Sequence, residues 1–139
     1  MKAVVQEDRT GCGIASIAAL TGQSYAAAKA AAAKLGILVE DPKLWSDTRL
    51  MRKLLAFFGI GAGRKEEPFR SWDELPVRAL LAIKWHREKT GAAWHWVVFV
   101  REEGERYVLD SKRGLRSSRR TDLGRIKPKW FISLNEKSC

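Results

Sequence analysis

The hydrophobic pattern of this chain changes period at Pro76, and that change restricts the folds open to it. Before Pro76, apolar residues recur three and four apart, as on a helix with one buried face. After it come runs rich in β-branched and aromatic residues: Val77 to Trp85, W-H-W-V-V-F-V from Trp94 to Val100, Tyr107 to Leu109, and Trp130 to Leu134. Such residues suit a pleated, half-buried surface. Helices followed by antiparallel strands make an α+β arrangement, with N-terminal helices packed on a C-terminal antiparallel sheet.

The helices have readable ends. Gly11-Cys12-Gly13 opens an apolar stretch of about ten residues that Gly22 closes. Ser24 is the predicted N-cap of an Ala-rich helix from Tyr25 to Leu35, stopped by Gly36. A third helix is expected from Ser46 or Asp47 to Phe58, with Leu50, Leu54 and Phe57 on one stripe. Residues 61–70 read as loop. Ser71-Trp72-Asp73-Glu74 carries a capping pattern and reads as one short helical turn. With 139 residues, no repeat and no linker, the chain is expected to form one domain, residues 1–139. No stretch approaches the length of a membrane span. Two cysteines and no apolar leader followed by a cleavage site point to a reducing, cytoplasmic protein.

Cys12 lies between two glycines at the start of a helix. A lone cysteine is usually a core filler. A helix N-terminus, however, offers unpaired N–H groups and partial positive charge, both of which favour the thiolate. The glycines would also let a substrate backbone approach. Of the two histidines, His86 reads as a surface residue beside Arg87 and Glu88. His95 opens the strand of β-forming residues. If that strand turns back through the loop Arg101-Glu102-Glu103-Gly104, so that Val100 faces Glu105, then Val97 faces Val108 and His95 faces Asp110. Asp110 would fix the tautomer of His95 and leave the other ring nitrogen to take the thiol proton. Gln6, six residues before Cys12, is a candidate side-chain donor to an oxyanion, with the Cys12 backbone N–H as the second.

The segment Q-E-D-R-T-G-C-G-I-A-S-I-A-A-L-T-G-Q-S-Y, with the later H-W-V-V-F-V and Y-V-L-D-S, resembles the papain-like cysteine peptidases. Within them it is most similar to the bacteriocin-processing, double-glycine peptidase family. The resemblance covers about residues 4–111. Gly11 precedes Cys12 where that family often carries Asp. The resemblance implies a papain-like fold and a thiol peptidase acting on a peptide or isopeptide bond. It assigns Cys12 to attack, His95 to general base and acid, Asp110 to orientation and Gln6 to the oxyanion. An acyl transferase of the transglutaminase kind, or an amidase, would use the same triad. No cofactor is implied, and the scattered Cys and His lack metal-ligand spacing.

Net charge is +10, and the excess is local. Residues 112–129, read as a loop, hold eight Lys and Arg and one acid, Asp122. A charge run is most often a solvated face. A binding protein on the same scaffold would use this segment for nucleic acid or an acidic partner. Trp45, Trp72, Trp85 and Trp130 suit core, groove or interface, with the core as the default for each.

Overall fold

A computed structural model describes residues 1–135 of the chain; Cys139 lies outside the described residues. Three helices pack on a six-stranded antiparallel sheet, so the architecture is α+β. Helix α1 spans Cys12–Thr21 and ends on Gly22 in the left-handed conformation. Helix α2 spans Tyr25–Lys34, and the Ser24 hydroxyl accepts from the Ala27 N–H at 3.1 Å, as an N-cap should. Helix α3 spans Arg49–Phe57, a later start than expected. Its first turn is pre-empted by Asp47, whose carboxylate accepts from the Arg49 backbone N–H and binds the Arg49 guanidinium. A short 3₁₀ turn, Pro42–Leu44, precedes it.

The strands are β1 (Glu67–Pro68), β2 (Arg78–Glu88), β3 (Gly91–Glu102), β4 (Glu105–Leu109), β5 (Arg119–Arg120) and β6 (Pro128–Ser133), in the order β1-β6-β2-β3-β4-β5. Two of them fall where loop was expected. β1 lies within residues 61–70, where Glu67 and Pro68 pair with Phe131 and Trp130. β5 lies within the basic segment, where Arg119 and Arg120 pair with Leu109 and Val108. A 3₁₀ turn, Leu123–Arg125, follows it. The Ser71 to Glu74 stretch forms a turn but no helix; the Ser71 hydroxyl accepts from the Glu74 N–H. Such short pieces are fixed by long-range pairing and leave no local period to read.

The alternation of β3 places Trp94, Trp96, Val98 and Val100 on one face, under the helices. Val97 and Phe99 point to the other face, where Leu75, Phe69, Trp72, Leu123 and Ile126 cover them. Trp45, Trp85 and Trp130 are half-buried and pack against the core under the helices, and Trp72 packs in the same way on the other face. Among the described residues no helix is long and apolar enough to cross a membrane.

Candidate active site

β3 and β4 meet in a tighter hairpin than the loop expected. Glu103 and Gly104 are its only connecting residues, and both have positive φ, 51° and 77°, as a type I′ turn needs. The pairing therefore runs Phe99 with Val108 and Val98 with Leu109, two positions away from the expected register. Side chains alternate with a period of two, so an even slip keeps every side chain on its expected face. His95 and Asp110 remain on a common face although they are not directly opposite, and His95 Nε2 lies 2.8 Å from Asp110 Oδ1. The carboxylate accepts, so Nε2 carries the hydrogen and Nδ1 is left for another partner.

The β3–β4 ladder ends at Val98–Leu109, which leaves the His95 end of β3 unpaired on that side. Helix α1, which begins at Cys12, packs on β3. Cys12, 6% exposed, and His95 line a common cleft of about 410 Å³, with Arg9, Thr10, Trp45, Glu88 and Trp94. Burial opposes charge on the His95 ring. The hydrogen bond to Asp110 and the interaction with the Cys12 side chain override it and raise His95 to about 9. Burial likewise opposes charge on Asp110, and the His95 contact overrides it, bringing Asp110 down to about 2. The imidazolium–carboxylate pair is thus the favoured form through neutral pH.

Asp110 is wholly buried, and its remaining valences are filled. Oδ1 also accepts from the Lys112 backbone N–H at 3.1 Å, and Oδ2 accepts from Arg120 Nη1 at 3.1 Å. Arg120 binds Asp122 through Nε and Nη2 as well. Sequence reasoning did not single out Arg120 from the basic segment. Only the β4–β5 register brings it to the carboxylate.

Gln6 is also buried, but it does not offer a free amide to the cleft. Nε2 donates to the carbonyls of Asp8 and Arg9, at 3.0 and 2.9 Å, so both its hydrogens are used. Oε1 accepts from the Ser111 hydroxyl at 2.9 Å, and the Gln6 backbone N–H donates to the Ser111 carbonyl. In this structure Gln6 clamps the loop before Cys12 onto the end of the Asp110 strand. Both amide hydrogens of the expected oxyanion donor are thus held by backbone carbonyls. Free donors remain at the start of α1, whose first N–H groups have no intrahelical acceptor.

The flanking glycines serve packing more than substrate approach. A Cβ on Gly11 would stand 2.1 Å from the Tyr25 hydroxyl, and one on Gly13 would stand 2.9 Å from the Met51 sulfur. Tyr25 in turn donates to Asp8 at 2.7 Å, which holds the same loop. His86 is exposed and bonded to the Lys84 carbonyl and to Glu88; it does not itself line the cleft, although Glu88 does. The chain matches no known protein-family model and no curated protein.

Proposed function

We propose that the chain is a thiol hydrolase of papain-like fold that cleaves a peptide or isopeptide bond. One observation carries this reading. Cys12, His95 and Asp110, from three separate segments, meet with the histidine bonded to the acid and lining one cleft with the thiol. The Cys12 thiolate, beside the His95 ring, attacks the scissile carbonyl. His95 then passes its proton to the leaving amine and takes one from the water that releases the acyl group. The N–H groups at the start of α1 face the developing oxyanion. Trp45 and Trp94 wall the cleft, with Arg9 and Glu88 also lining it, which suits an extended peptide with an apolar side chain. A reducing, cytoplasmic setting fits a mechanism that needs a free thiol.

Alkylation tests this directly. The chain with Cys139→Ala keeps one thiol, and iodoacetamide is applied at about pH 6, where an ordinary thiol is almost wholly protonated. Intact mass should show rapid single labelling that His95→Ala slows by about tenfold or more. A peptide library should then be cut by the wild type and left whole by Cys12→Ala with the fold retained. Cleavage that survives Cys12→Ala would end the proposal. Products that incorporate an added amine would move the reaction to acyl transfer.

A further inference from the structure

Away from the cleft, two adjoining depressions share Arg120 and Arg125 in their walls. The larger, about 690 Å³, is lined by Lys84, Arg120, Arg125, Lys127 and Lys129 and by no acid, with Trp85, Pro128, Ile83 and Ile126 between the charges. The smaller, about 320 Å³, adds Arg116 and Arg119 and one acid, Asp122, which Arg120 already holds. Arg119 is occupied by Glu105 and Tyr107. Among the described residues, Lys84, Arg116, Arg125, Lys127 and Lys129 have no carboxylate partner. Five cations without a direct ion pair along one furrow repel each other, and a polyanion would relieve that repulsion.

The backbone contributes as well. Lys84 has φ 53°, in the left-handed region that non-glycine residues avoid, and it stands where the β2–β3 register slips between Ile83 and His86. A bulge re-aims the side chain it carries, and Lys84 lines the furrow as a result. Partial desolvation, and then the neighbouring Lys112 ammonium, hold the Lys84 amine below the ordinary lysine range. Lys129 lies over the Trp85 ring, 4.8 Å from its centroid.

We propose that this furrow binds single-stranded nucleic acid, with bases against Trp85 and Pro128 and phosphates on Lys84, Arg116, Arg125, Lys127 and Lys129. The alternation of apolar planes with cations is what favours this partner. A nucleotide brings a flat aromatic base and a phosphate together in every unit, whereas a run of Asp and Glu side chains carries no ring to set on the indole. Arginine forks match phosphate oxygens two at a time. A base entering at Trp85 displaces Lys129 from the ring and frees its ammonium for a phosphate. The site does not depend on the thiol chemistry, so Cys12→Ala should bind as the wild type does.

The test is fluorescence anisotropy with a labelled single-stranded oligonucleotide of mixed sequence and the full chain. Five phosphate contacts to a single strand predict a slope of about −3.5 in log affinity against log salt, or roughly a hundredfold weakening between about 50 and 200 mM. Arg125→Glu with Lys127→Glu should weaken binding at least tenfold. Lys34→Glu with Lys53→Glu changes net charge equally, on α2 and α3, and should weaken it far less. Trp85→Leu should lower affinity several-fold with the salt slope unchanged. The proposal is overturned if the two charge reversals act alike, since net charge alone would then bind. It is also overturned if polyglutamate of equal length competes as well as the oligonucleotide, or if no binding occurs at low salt.

Discussion

Asp110 accepts from His95 and the Lys112 backbone on one oxygen and from Arg120 on the other, and each contact holds its charge. Arg120→Gln should therefore raise the pH at which Asp110 takes up its proton, since the Arg120 hydrogen bond lowers it. A carbon-detected NMR titration of the carboxyl would show this, and an unmoved Asp110 would remove Arg120 from the site. Asp110→Asn makes the complementary prediction. Without the carboxylate, His95 should fall from about 9 toward its ordinary value of about 6.5. Turnover should drop by roughly 10²-fold or more, and ring-nitrogen NMR shifts would report the histidine separately from activity. Cys12, His95 and Asp110 were legible in the sequence because residue type and order suffice to propose them. The engagement of Gln6 was not, because it depends on where the carbonyls of Asp8 and Arg9 turn.

At the scale of elements, the β3–β4 hairpin shows what patterning can and cannot fix. Alternation in W-H-W-V-V-F-V assigns faces, and His95 and Asp110 met on the face expected. The turn assigns register, and a Glu at a positive-φ position gave no signal of a two-residue turn. Glu103→Asn should accordingly stabilise the chain by about 0.5–1 kcal/mol, because Asn tolerates that conformation better. An unchanged urea midpoint would refute the strain. The α1–α2 packing makes a second prediction. Gly11→Ala drives a methyl into the Tyr25 hydroxyl and should cost about 1–3 kcal/mol. Tyr25→Phe in the same chain should return part of that loss, and a double-mutant cycle showing strict additivity would place the clash elsewhere. The period of α3 was visible, but its start was not, because Asp47 competes for the first turn.

For the whole molecule, the buried His95–Asp110 pair makes stability depend on pH at both ends. The folded His95 value of about 9 lies above the ordinary 6.5. Its contribution is complete below about pH 6.5 and is lost as pH rises through 9. Asp110, at about 2, lies below the ordinary 3.8, so its contribution is complete above about pH 4 and is lost as pH falls toward 2. The pair is a single interaction, on the order of 2–3 kcal/mol, counted once. Urea midpoints across this range should form a plateau with two shoulders, and His95→Gln should flatten the alkaline one. The clamp between Gln6 and Ser111 spans 105 positions of chain. Contacts so distant in sequence are made late, after local helices and hairpins have formed. During synthesis the segment carrying Cys12 is made before His95 and Ser111, so its histidine and its clamp can reach it only once those later segments have followed. On the proposed chemistry, Cys12 therefore gains its base only after the strands that carry His95 and Asp110 have been made.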